Sequence, residues 1–189
     1  MLNKQLFLIL SLSAFLLSGC STTHYISITP QSNIANNNLT NDRAIKVSTS
    51  TQLTNSVGSI KTAINERAEI YTTNDINESV KESVLSGLRR LGLTPDQGVM
   101  PAADFKIEIT KMSYVTKVKT LKTVATLNFE LKATLTAKGQ TYKANYGTQK
   151  IKEYGTMPYQ QDTQDSMNDL ASQTVNRLLS DPNIIILLK

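Results

Sequence analysis

"LKTVATLNFELKATLTAKGQTYKANY", residues 121–146, alternates apolar and polar side chains over most of its length. Leu121, Ala125, Leu127, Phe129, Leu131, Ala133, Leu135 and Ala137 fall on odd positions, with Lys122, Thr126, Asn128, Glu130, Lys132, Thr134 and Thr136 between them. A period of two sends successive side chains to opposite faces of a strand, so one face is buried and the other wet. Register follows as well. With Lys138-Gly139 as a two-residue turn, Ala137 faces Gln140, Leu135 faces Tyr142, Ala133 faces Ala144 and Leu131 faces Tyr146. Opposed residues of an antiparallel pair share a face, so these all land on the apolar side; a slip of one residue would set each against a polar partner. A strand this long is expected to twist strongly or bend.

Working outward, "FKIEI" at 105–109 points Phe105, Ile107 and Ile109 inward, but Met112 and Tyr114 continue on even numbers. The phase slip predicts a bulge or bend near Thr110 or Lys111. Upstream, "NDINESVKESVLSGLRRLGL" at 74–93 changes period: Ile76, Val80, Val84, Leu88 and Leu91 share one helical face. Asn74 is the expected N-cap, Asp75 suits the positive helix end, Gly92 fits the left-handed C′ position and Leu93 closes the cap. Earlier still, "VGSIKTA" and "RAEIYTT" flank Ile64-Asn65-Glu66 as a hairpin, and "RAIKVST" from Arg43 alternates as a strand. Downstream, Met167, Leu170, Ala171, Thr174 and Leu178 form the face of a second helix that Pro182 ends. The tail "NIIILL" reads equally as a short helix or an edge strand. This order gives an α+β fold: an antiparallel β-sheet with two amphipathic helices packed on one face.

The chain opens with Lys4, an apolar run from Leu6 to Leu17, and then small residues, the layout of a secretory leader. A dozen apolar residues is too short to span roughly 30 Å of hydrocarbon as a helix. The leader ends Leu17-Ser18-Gly19-Cys20, with the single cysteine of the chain last. That ending resembles a bacterial lipobox, which implies cleavage before Cys20 and a diacylglyceryl thioether on its sulfur. One acyl chain holds a membrane only reversibly, whereas two or three hold stably. Ser21, not Asp, follows the cysteine; the resemblance to Gram-negative sorting then implies an outer-membrane anchor facing the periplasm. The expected organisation is a signal peptide at 1–19, a lipidated N-terminus and polar tether at 20–42, and one α+β periplasmic domain at 43–189. Within the tether, "HYISITP" is β-prone, and "QSNIANNNLTN" has little to bury.

The lipobox leader, the hairpin into the helix ending "LRRLGL", the long meander and the closing helix together resemble the YajG-type family of Gram-negative lipoproteins. The resemblance implies an outer-membrane lipoprotein of this fold and carries over no catalytic residue.

Composition excludes much chemistry. One cysteine allows neither an internal disulfide nor a multi-cysteine metal cluster, and His24 is the sole imidazole, four residues from the anchor. No phosphate loop or dinucleotide fingerprint occurs. Asp162, Asp165 and Asp169 read as helix-dipole partners on a solvated face rather than cation ligands. No catalytic residue, metal or cofactor is expected. Charge is segregated: residues 105–152 carry ten Lys against Glu108 and Glu130, within a chain of net charge +5 that falls to +4 once the leader takes Lys4 away. Lys117, Lys119, Lys122, Lys132 and Lys143 are candidate contacts to an anionic surface; Lys on a wet sheet also guards edges against aggregation. Nucleic acid is not an expected partner, since no array of base-stacking aromatics is present.

The function expected is a non-enzymatic interaction or accessory module of the cell envelope. It would be tied to the membrane by its N-terminal lipid and partnered by an envelope protein or an anionic glycolipid. Two rival readings are a lipid or glycolipid carrier, with a cleft between the helices and the long hairpin, and a carboxylate-based envelope enzyme needing two acids on one groove.

Overall fold

The computed structural model describes residues 23–39, 43–62, 66–95 and 100–189. The expected leader, Cys20 and the expected turn at Ile64-Asn65 lie outside them. The described elements run β1 (His24–Ile26), β2 (Arg43–Thr51), β3 (Ser56–Lys61), β4 (Arg67–Thr72), α1 (Ile76–Arg90), β5 (Met100–Lys119), β6 (Lys122–Ala137), β7 (Gln140–Tyr154), α2 (Gln160–Leu179) and α3 (Pro182–Leu188). The fold is α+β, with one seven-stranded sheet ordered β1-β4-β3-β5-β6-β7 and β2 paired to β5.

The meander β5-β6-β7 is antiparallel and takes the register derived from the sequence: Ala137 opposes Gln140, Leu135 Tyr142, Ala133 Ala144 and Leu131 Tyr146. The predicted bulge is present. Ile109 opposes Leu131 and Lys111 opposes Glu130, leaving Thr110 as the extra residue. From Ala125 to Ala137 the odd residues of β6 are buried. Leu121 departs from the expectation: it sits in the β5–β6 turn and is 89% exposed, because the apolar periodicity of β6 runs on past the helices that cover it.

The sheet is mixed, since β1 runs parallel to β4, and both β2 and β3 run parallel to β5. One edge of β5 thus serves two partners in succession. β2 occupies it up to the pair Thr51–Ile109, and β3 from the pair Gly58–Tyr114, with the bulge between. Alternation in a sequence specifies which face is buried but not which strand lies alongside. At the handover β3 approaches β5 closely. Gly58 has φ +147°, and a Cβ there would stand 2.0 Å from the Tyr114 carbonyl oxygen. Only glycine fits.

The helices lie where the periodicity put them, with altered ends. Asp75, not Asn74, caps α1, its carboxylate accepting from the amides of Asn77 (2.8 Å) and Glu78 (3.4 Å). Asn74 instead bridges to the chain start, accepting from the Ile28 amide at 2.9 Å and donating to its carbonyl at 2.8 Å. Gly92 has φ +87° at the end of α1, and the Leu93 amide donates back to the Leu88 carbonyl at 3.0 Å, closing the expected cap. Pro182 does not merely stop α2; it opens α3, which settles the tail as a short helix burying Ile184, Leu187 and Leu188. Val80, Val84 and Leu88 of α1 and Met167, Leu170 and Leu178 of α2 are fully buried, as are Phe105, Leu127 and Phe129 of the sheet. At about 1.5–3 kcal/mol per large apolar side chain, this layer is the main source of stability.

The described part of the expected tether packs against the helices. Ile26, Ile28, Pro30, Ser32 and Ile34 are buried, alternating with exposed or half-buried odd residues. The odd amides are held from one side by α2: Tyr25 donates to Gln160 (3.2 Å), Ser27 to Gln164 (2.8 Å), Thr29 to Asn168 (2.7 Å), Gln31 to Ser172 (2.8 Å) and Asn33 to Asn176 (3.0 Å). Two periods coincide here. Four helical residues rise about 6 Å and two extended residues about 6.6 Å, so a polar stripe at every fourth position of α2 matches every second amide of the arm.

Candidate functional site

Five lysines were candidate contacts to an anionic surface, and the structure separates them. Lys122 pairs with Glu153 at 2.6 Å and Lys132 with Glu108 at 3.7 Å. On the same sheet face Lys106 pairs with Asp104 and Lys111 with Glu130, each at 3.2 Å. The Lys122 hydrogen bond holds the Glu153 carboxyl below its ordinary value against an opposing desolvation, with the charges of Lys122 and Lys119 adding to it. Such exposed pairs add little stability, but they divide the basic stretch into local neutral units. Lys150 and Lys152 turn to the helix side, meeting Asp169 at 2.7 Å and the Ser166 hydroxyl at 2.6 Å. Lys117, Lys119 and Lys143 form no ion pair among the described residues. They stand at opposite ends: Lys117 and Lys119 finish β5, whereas Lys143 lies near the β6–β7 turn.

The remaining candidates stay apart. His24 is buried on β1, its ring 3.5 Å from the Thr163 hydroxyl, and burial lowers its pKa. Asp162 accepts from the Tyr159 amide at 3.3 Å at the start of α2, Asp165 accepts from Gln161 (2.8 Å), and Asp169 is held by Lys150 and Gln173. No group of metal-ligating side chains forms among the described residues. Another aspartate among the described residues sits in a tight cluster that the sequence does not single out. Asp181, the cap of α3, accepts from the hydroxyls of Tyr142 (2.9 Å) and Tyr146 and from the Asn183 amide (2.8 Å). Burial pushes its carboxyl up, but the Tyr146, Asn183 and Tyr142 hydrogen bonds together hold it below its ordinary value. Burial and the same carboxylate raise the Tyr146 phenol.

Between the helices and the long hairpin, where the rival lipid-carrier reading puts a cleft, the side chains of the core pack together. Concavities among the described residues lie at the surface. One of about 750 Å³ is bounded by Thr23, His24 and Tyr25 and by Met157, Pro158 and Tyr159, where the chain enters β1. Another of about 400 Å³ separates the arm from α1 and places Glu78 and Glu82 on one groove, above the buried hydroxyls of Ser32 and Ser83. Glu78 is 56% exposed there and paired with Lys81 at 3.4 Å. Among the described residues no helix is long and apolar enough to cross a membrane.

Comparison with known proteins agrees with this architecture. The solved structure of a Xanthomonas campestris protein, of the family DUF330, is similar over 87% of this chain and 95% of its own, with a TM-score of 0.55 at 10% identity. A second solved structure, described only as an uncharacterized protein, aligns over 88% of this chain and 99% of its own, with a TM-score of 0.48 at 12% identity. At such identities the first shares the fold and carries nothing about residues; the second carries no argument. No curated protein sequence matches the chain. The sequence profile of Lipoprotein_16, described as "Uncharacterized lipoprotein", matches residues 30–189, which takes in the end of the arm, both long helices and the whole meander, and the chain belongs to that lipoprotein family.

Proposed function

We propose that this chain is an outer-membrane lipoprotein, acylated on Cys20 and facing the periplasm, whose folded body acts as a non-enzymatic interaction or accessory module of the envelope. One observation carries the reading: a leader that ends Leu17-Ser18-Gly19-Cys20 immediately before the folded body, in a chain of a lipoprotein family. The engagement of His24, Asp162, Asp165 and Asp169 in burial, caps and pairs supports the non-enzymatic part. Partners on this reading are the membrane itself and an envelope protein or anionic glycolipid.

Metabolic labelling with radioactive palmitate, with and without globomycin, tests the anchor. The native chain is expected to take up label and to accumulate as precursor under the inhibitor, and Cys20→Ser to do neither. Density-gradient separation of the two membranes tests the address. Native sequence found in the inner-membrane fraction would remove the outer-membrane assignment.

A further inference from the structure

Val118 and Leu121 are exposed large apolar side chains at one end of the sheet, with Val115 and Ile151, both opposite Thr126, exposed behind them. β5 finishes there and β6 begins, β7 finishes, the loop to α2 follows, and β1 starts. Leu121 is 89% exposed in the β5–β6 turn, Val118 beside it 55%, and Tyr159 before α2 76%, with Tyr25 of β1 also exposed. At the opposite end stands Ile186, on α3. Lys117 and Lys119, which form no ion pair among the described residues, flank the apolar turn.

The acylated residue and this turn extend from one row. His24 pairs with Ile70, Ile70 with Gly58, and Gly58 with Tyr114 across three strand pairings. From Tyr114 the strand β5 continues to Lys119, five residues or about 17 Å. From His24 the chain returns to Cys20, four residues that reach at most about 14 Å whatever their conformation. A bilayer holding the acyl groups of Cys20 therefore lies within reach of the hairpin tip, while Ile186 stands at the opposite end, beside the β6–β7 turn.

We propose that the β5–β6 tip is a membrane-contact element: Val118 and Leu121 enter the headgroup layer of the bilayer that holds this chain's own acyl groups, and Lys117 and Lys119 lie against phosphates of anionic lipid. The proposal rests on acylation of Cys20. Tyr25 and Tyr159 border the concavity at the start of β1, set back from the tip, and tyrosine favours a membrane interface because one edge of its ring is apolar and the other polar. The lysines suit a surface of negative potential, where each cation adds attraction that salt screens.

The test uses the mature acylated chain in vesicles of phosphatidylethanolamine and phosphatidylglycerol. A polarity-sensitive fluorophore is attached through Leu121→Cys, or through Ile186→Cys as the control. Acylation blocks the Cys20 thiol, so mass spectrometry shows one label per chain. The expected result is a blue-shifted probe at 121, quenched several-fold more by lipid-borne spin label than the probe at 186. Equal quenching in a chain that floats with the vesicles overturns the proposal, leaves the anchor intact and assigns the tip to a protein partner. A native chain that fails to float, or that takes label at Cys20, overturns both. Quenching at 121 is expected to fall when phosphatidylcholine replaces the anionic lipid; an unchanged value overturns the role given to the lysines.

Discussion

The amide of Thr29 donates to the Asn168 side chain at 2.7 Å, in the middle of five such bonds that fasten the chain's N-terminal arm along α2. Asn168 also returns a bond from its own amide to the Ser27 carbonyl at 3.0 Å. The arm therefore has a helix side chain where a strand would have a neighbouring backbone. Substituting Asn168→Ala is expected to lower stability by about 0.5–1.5 kcal/mol, since water reaches the freed amide. Hydrogen exchange gives the sharper readout. The amides of Ser27, Thr29, Gln31 and Asn33 should be protected in the native chain and lose protection together in a Gln164→Ala/Asn168→Ala variant. Unchanged exchange would show that the buried isoleucines alone hold the arm.

Gly58 has no room for a side chain against the Tyr114 carbonyl. Gly58→Ala is expected to destabilise by at least about 1–3 kcal/mol from the backbone conformation alone, with the clash adding to it. Urea unfolding should show a lower midpoint with little change in slope. A near-neutral result would mean that β3 and β5 separate at low cost.

Asp181 has a depressed pKa in the folded chain, so its contribution follows the carboxylate pattern. It is fully present above the unfolded value near 3.8 and is lost as pH falls through the lower folded value. Asp181→Asn should therefore destabilise at neutral pH, and the difference from native should shrink as the solution is taken below pH ~4. Thermal melts of both proteins across that range check the sign. Tyr146, whose phenol is raised, acts oppositely at the alkaline end: its contribution is whole below the ordinary value of 10.0 and falls as pH rises through the folded one.

Phe129 and Leu121 carry the same strand alternation but have opposite burial, 0% against 89% exposed. Phe129→Ala is expected to cost about 3–5 kcal/mol, and Leu121→Ser to stay within about 0.5 kcal/mol. Chemical denaturation of the two variants side by side measures this. A large loss at Leu121 would show that the tip is needed for folding, not free for a partner.

Much of this was legible in the chain itself, for a local reason. The register of β6 on β7, the Thr110 bulge and the buried faces of both long helices depend on side chains a few positions apart, and a period of 2 or 3.6 is a property of the backbone. The cap of α1 was misplaced by one residue because Asn74 and Asp75 are both good caps. The choice fell to Ile28, forty-six positions away, which takes the Asn74 side chain. The tether was misread for a related reason. "QSNIANNNLTN" looks unburiable until α2 supplies Ser172 and Asn176 to the amides of Gln31 and Asn33, the end of a polar stripe at four-residue spacing that holds Ser27 and Thr29 through Gln164 and Asn168.

The sequence by itself determined the buried faces and the α+β class, because each of these is encoded in neighbours along the chain. Tertiary structure alone decided that β2 and β3 share one edge of β5, that the arm lies on α2, and that Leu121 stays outside. Those depend on where distant segments meet and where the helical layer stops, and no periodicity records how far a covering helix reaches.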